Sequence, residues 1–140
     1  MIEKITITKL QRISVENGDI LHGLKKSDFG YVNFGEIYFS LIAKDKIKAW
    51  KVHNEMTLNL IVPHGSVRFN FIELDNHGAV ANRLELTLSD KKYCRLTVPP
   101  KIIFGFKGVG DNPNIVVNIA DIEHKDNEVK KIADNTYKFK

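Results

Sequence analysis

Alternation of apolar and polar positions dominates this chain. Ile5, Ile7 and Lys9 open one strand candidate, and residues 35–42, 47–53, 57–62, 66–74, 83–88, 93–98, 102–106 and 114–120 supply the others. These segments are rich in Ile, Val, Phe, Tyr and Thr, side chains that fit a pleated surface. Turn-forming residues fall between them: Asn17-Gly18-Asp19, Pro63-His64-Gly65, Asp75-Asn76-His77-Gly78, Ser89-Asp90 and residues 108–113. Gly, Asn, Asp and Pro set turn geometry through their special backbone preferences. Many short strands at near-regular spacing predict an all-β sandwich or barrel. Helical periodicity shows only at residues 127–132, where a short C-terminal helix is expected. No repeat, low-complexity stretch or linker divides residues 1–140, so one domain is expected.

Composition narrows the partners. The net charge is +4 and Lys plus Arg number 21. The lysines are scattered and do not interleave with aromatics on one face, so no nucleic-acid partner is expected. The positive balance suits an anionic small ligand. No apolar run approaches a membrane span, and MIEKITITK lacks the apolar core of a signal peptide. A cytoplasmic, non-membrane protein is therefore expected. The single cysteine, Cys94, agrees with that compartment. It lies in a strand candidate beside Tyr93 and Arg95 and reads as a half-buried core residue. Phosphate-binding glycine loops and a Gly-x-Ser-x-Gly elbow are absent.

Two stretches carry the candidate chemistry. Residues 46–65 read KIKAWKVHNEMTLNLIVPHG, and residues 98–106 read VPPKIIFGF. Together they resemble the two halves of a small cupin barrel. The metal-ligand positions of that motif fall on Lys51, His53, Leu58 and Phe104, with Gly65 as the anchoring glycine. One ligand of four remains, and a lone imidazole cannot hold a divalent ion tightly, so no metal is expected.

The resemblance extends over most of the chain, roughly residues 5–132. It is carried by HGLKKSD (22–28), FGEIYFS (34–40), IKAWKVHNEMTLNL (47–60), VPP (98–100), FGFKGVGD (104–111) and VVNIADIEH (116–124). In this order and spacing they resemble the cupins related to dTDP-4-dehydrorhamnose 3,5-epimerase, above all a short-chain branch. The resemblance implies a jelly-roll barrel that pairs as a homodimer. It also implies an isomerase of deoxysugar and surface-polysaccharide biosynthesis, acting on a nucleotide-linked 4-keto-6-deoxy sugar. Such enzymes move a proton next to the ketone and need no cofactor, because the ketone stabilises the enolate. The protein supplies a base, an acid and donors for the enolate oxygen.

The catalytic set departs from that family. The base histidine follows a segment that is Lys48-Ala49-Trp50 here, and Lys51 takes its place. In those enzymes the aspartate that orients it lies in a C-terminal extension, and this chain stops at Lys140. The acid tyrosine maps to Glu123 or His124, a phosphate-binding arginine to Asn17, and a second pocket histidine to Phe104. Lys51 is a base if desolvation lowers its pKa, and otherwise a paired strand lysine. His53, two residues on and on the same strand face, is the second candidate base or a hydrogen-bonded barrel histidine. Trp50 points to the opposite face, towards core or interface.

Glu36, Tyr38 and Ser40 alternate on one face; they and Lys48 are candidates for substrate binding, as are Asn59, Arg68 and Asn70. Asp121 joins Glu123 and His124 in a polar strand exit, and His22 and His64 read as surface turn residues. Two rivals to the epimerase stand beside it. One is a 3,4-ketoisomerase on the same substrate class, and the other is a non-catalytic sugar-nucleotide-binding cupin.

Overall fold

A computed structural model describes residues 1–111 and 113–140. Asn112, inside the turn expected at 108–113, lies outside the described residues. The strands, in chain order, are β1 (Thr6–Lys9), β2 (Arg12–Ile13), β3 (Ile20–Leu21), β4 (Glu36–Ile42), β5 (Ile47–His53), β6 (Leu58–His64), β7 (Ser66–Leu74), β8 (Val80–Ser89), β9 (Cys94–Val98), β10 (Ile103–Gly108), β11 (Asn114–Ala120) and β12 (Val129–Lys131). They form two facing five-stranded sheets. Sheet I has the order β1-β9-β6-β11-β4 and sheet II the order β12-β5-β10-β7-β8; β2 and β3 make a separate hairpin. All pairings between strands are antiparallel. This is the jelly-roll sandwich of the cupin class.

The core follows from period two. Leu58, Leu60 and Val62 of β6 meet Val67, Phe69 and Phe71 of β7 between the sheets, joined by Leu96, Val98, Phe104 and Val116. Intervening residues face outward, where two further clusters form. On sheet I, Ile61 and Val117 pack with Leu10 and Tyr93. On sheet II, Trp50, Ile72 and Ile103 gather Ile132, Tyr137 and Phe139 of the C-terminal tail. Trp50 is therefore core. Its indole N–H donates to the carbonyls of Asp134 and Tyr137, and Phe139 stacks on it at 5.8 Å.

The C-terminal segment differs from the expected helix. Among the described residues the one helical turn is a 3-10 turn at Ile2–Lys4, and residues 129–131 form a strand instead. Val129 pairs with His53 and Lys131 with Lys51. The β-branched Val129 and Ile132 suit a sheet edge, and the free edge of β5 offers more hydrogen bonds than an isolated helical turn can. β6 also runs through Pro63 to His64, where a turn was expected. The β6–β11 ladder skips a register step there, and a proline without an N–H is tolerated at such an irregularity. Gly65, at φ 88°, then makes the turn.

Residues 22–34 cross the outer face of sheet I and lead into β4. A buried polar network holds them. Arg95 is fully buried and donates to the carbonyls of Gly23 and Phe29 at 2.7 and 2.8 Å. Asn59 donates to the Gly30 carbonyl and accepts from the Thr97 hydroxyl. Replacing Arg95 by Met would remove the donor from two part-buried carbonyls, at a cost of about 1 kcal/mol each. We expect this variant to lower the urea midpoint and to speed amide exchange selectively in residues 22–34.

Candidate active site

Two adjoining cavities open between the sheets and share Tyr38 and Lys51 as walls. The inner one, about 140 Å³, is also lined by Ser40, Lys48, Phe104 and Asn118. The outer one adds Glu36, His53, His124 and Lys131. Tyr38 and Asn118 stand on sheet I, on neighbouring strands β4 and β11. Lys48, Lys51 and His53 stand on β5 of sheet II, the opposite wall.

Strict alternation would turn Lys48 outward with Trp50. It faces inward because the β5–β10 ladder shifts register between the Phe104–Lys51 and Phe106–Lys48 pairs. A bulge of this kind sets two residues against one and re-aims the side chains beyond it. Ala49 and Trp50 both face outward over Gly105. A Cβ on Gly105 would lie 2.7 Å from that of Ala49, so the bulge requires glycine there.

The feature of the cavity wall that the sequence hid is a buried histidine–glutamate pair. His53 is 6% exposed and Glu128 2% exposed. The His53 Nδ1 bonds to Glu128 Oε1. Glu128 Oε2 accepts the backbone N–H groups of Glu55 and Met56, each at 3.2 Å. The imidazole also stacks on Phe104, with ring centroids 6.1 Å apart. With Nδ1 donating to the carboxylate, Nε2 keeps its lone pair free to accept a proton.

Burial by itself would push the Glu128 carboxyl up. The His53 hydrogen bond, the Glu55 amide, the imidazole charge and the Met56 amide together outweigh it and hold the carboxyl below the usual range. A carboxyl depressed on folding contributes stability that is complete above its unfolded pKa and is lost as pH falls through the folded one. We expect acid unfolding monitored by circular dichroism to show this loss below the ordinary carboxylate range, and Glu128→Gln to flatten that limb.

Other side chains complete the site. The Lys51 ammonium is held below the ordinary lysine range by partial desolvation, and then by repulsion from Lys131 and Lys48. Lys48 donates to the Ser40 hydroxyl and the Leu41 carbonyl. Burial raises the Tyr38 hydroxyl above its usual pKa, against the opposing bond from Asn118. It therefore stays protonated at neutral pH. His124 stands at the rim and bonds to Asp126.

Of the residues expected here, the structure brings together Glu36, Tyr38, Ser40, Lys48, Lys51, His53 and His124. Four others lie elsewhere. Asn59 is on the outer face of β6, committed to Gly30 and Thr97. Arg68 and Asn70 alternate with the core residues of β7 and so face away from the cavity. Asn70 is bonded in both directions to the backbone of Lys140. Glu123 is exposed and lines neither cavity. Asp121 caps the Thr57 N–H. Among the described residues, no group of three His, Cys, Asp or Glu could hold a metal ion.

No family model matches the chain, and neither does any curated protein. Solved structures do. A dTDP sugar isomerase from Desulfovibrio desulfuricans G20 is 31% identical over 96% of this chain and 87% of that one, with a TM-score of 0.89. The chain belongs to the dTDP sugar isomerase family. More distant members of this isomerase fold are dTDP-4-dehydrorhamnose 3,5-epimerase from Sulfolobus tokodaii and a sugar 3,4-ketoisomerase from Thermoanaerobacterium thermosaccharolyticum in complex with TDP. The first is 17% identical over 96% of this chain and 80% of that one, with a TM-score of 0.82. The second is 16% identical over 96% and 92%, with a TM-score of 0.78. The acidic partner of His53 is Glu128, the residue just before β12. The sequence carried no signal for it, because Val129 and Ile132 are three apart and read as helical. Asn118 and Lys131, also missed, carried none.

Proposed function

We propose that this isomerase-family protein acts on a dTDP-4-keto-6-deoxyhexose by proton transfer next to the ketone, as an epimerase of deoxysugar biosynthesis. The observation that carries the proposal is the opposition of two proton-transfer groups across one cavity. The His53–Glu128 pair stands on sheet II, and the protonated Tyr38 hydroxyl stands on sheet I. Epimerisation removes a proton from one face of a ring and returns one on the other, so acid and base must flank the ring. His53 is assigned as the base and Tyr38 as the acid. Lys51 supplies the cation for the enolate oxygen, where it stabilises charge that develops only during reaction. Lys48 and Lys131 provide positive charge for the diphosphate. His124 and Glu36 shape the rim. No metal or organic cofactor is needed for this chemistry.

The test is solvent deuterium incorporation into dTDP-4-keto-6-deoxyglucose, followed by NMR. The expected result is exchange at C3 or C5 with the ketone kept at C4, lost in His53→Ala. A ketone that moves to C3 would indicate ketoisomerase action instead. No exchange with saturable binding would indicate a non-catalytic binding protein, and neither would refute the substrate class.

We also propose a cytoplasmic homodimer formed through the outer face of sheet I. β4 is the edge strand of that sheet. Its outward residues Ile37, Phe39 and Leu41 are 47%, 65% and 62% exposed, and Phe29, Val32 and Phe34 continue the apolar surface. An unpaired edge beside such a patch is a surface that proteins cover, and a second copy offers the same patch in return. Light scattering is expected to give a dimer for the wild type and a monomer for Phe39→Asp.

A further inference from the structure

Asn118 sits on β11 with its side chain between the sheets, 2% exposed. It lines the inner cavity together with Tyr38, Lys51 and Phe104. Its Nδ2 donates to the Tyr38 phenol oxygen at 2.8 Å, with a weak second contact to the Met56 sulfur at 3.9 Å. Its Oδ1 is buried and has no hydrogen-bond partner among the described residues.

That last fact is costly. A buried amide oxygen without a donor carries the full penalty of its lost hydration. A leucine of similar shape would carry none. An asparagine here weakens the barrel, and the return must come from what Nδ2 does. A phenol oxygen that accepts an N–H has that lone pair occupied, and its own proton must point elsewhere. The Asn118 bond thus turns the Tyr38 O–H away from the strand and towards the cavity.

We infer that Asn118 is a positioning residue that commits the Tyr38 proton to the ligand, so that Tyr38 donates to substrate and not to the protein. The inference rests on the assignment of Tyr38 as the acid. It goes beyond that assignment by naming the group that orients the hydroxyl. Asn118 itself touches no reacting atom. The geometry favours a donor at this position. A carboxylate of the same shape would be an acceptor only and would capture the phenol proton.

Three variants separate the possibilities. Asn118→Asp keeps the shape and reverses the hydrogen bond. We expect its kcat for epimerisation, read by NMR as formation of the inverted sugar, to fall about 10²-fold or more, the scale of a lost general acid, with KM nearly unchanged. Asn118→Leu is expected to keep a denaturation midpoint at or above that of wild type while losing kcat. Tyr38→Phe should match the kcat loss of both. Wild-type kcat in Asn118→Asp would overturn the inference, because it would mean that Tyr38 already donates to residue 118.

A second readout needs no substrate. Tyr38 is titrated by NMR of ¹³C-tyrosine protein, with Tyr38→Phe assigning its signal. Loss of the N–H donor destabilises the phenolate, so the midpoint should rise in Asn118→Leu. A fall, or no change, would overturn the inference. If wild type fails to exchange the keto sugar, the functional reading fails, and the titration and denaturation results still decide the role of Asn118.

Discussion

Glutamine in place of Glu128 is expected to lower turnover by about 10²–10⁴-fold, the range attributable to one acid–base group, while the cavity keeps its shape. The reason is tautomeric. Glu128 Oε2 is held by two backbone N–H donors, from Glu55 and Met56. In the variant the amide oxygen must stay with those donors, because an NH₂ group cannot accept from them. The NH₂ then faces His53 Nδ1, which has to become an acceptor. The imidazole proton moves to Nε2, and the ring presents a donor to the substrate where it needs a lone pair. Turnover should fall with KM little changed, since no contact to the ligand is removed. His53→Ala should fall at least as far, and the double variant no further than His53→Ala alone, as expected of groups that act as a unit. Deuterium exchange rates across the three variants check this. Near-wild-type turnover in Glu128→Gln would remove the pair from the mechanism.

The largest loss of stability is expected from Trp50→Ala, about 3–5 kcal/mol on the scale of buried aromatic deletions. Trp50 is 1% exposed. It carries Phe139 on its face, Tyr137 at its edge with centroids 5.9 Å apart, and two carbonyl hydrogen bonds from its indole. Its backbone also exchanges hydrogen bonds with Ile132, just past β12. The variant should therefore shift the urea midpoint and release residues 132–140 to amide exchange. Because β12 follows directly from Glu128, some turnover should go as well. Stability lost without faster exchange in the tail would show that Trp50 acts only through the inner core.

Alternation made most of the sandwich legible. Residues 47–53, 66–74 and 114–120 were bounded in the sequence as they stand in the structure, because each is rich in strand-forming side chains and buries apolar ones on at least one face. β2 and β3 were missed, being two residues each. The site was less legible, for two physical reasons. First, parity fails at a bulge: Lys48 and Trp50 are two apart yet face opposite ways, and only the Gly105 opposite hints at it. Second, the decisive pairings are remote in the chain. His53 and Glu128 are separated by 75 residues, and Asn118 and Tyr38 by 80. Period two does give the wall for Asn59, Arg68 and Asn70, once the core side of each strand is known. Their polarity alone suggested a lined pocket, where the structure uses two of them to pin down a loop and a tail.

The two ends of the described chain are anchored on a single strand. The Met1 amine rests on Glu73 at 3.0 Å, and the Lys140 backbone is clasped by Asn70. These anchors are three residues apart, roughly 10 Å along β7. Because Asn70 and Glu73 face opposite sides of the sheet, a linker that passes round the end of β7 would close residues 1–140 into a ring. The opening could then be moved to the exposed 75–78 turn, placing new termini far from the cavity and leaving the β5–β12 edge, which carries the histidine–glutamate pair, inside an unbroken loop of chain.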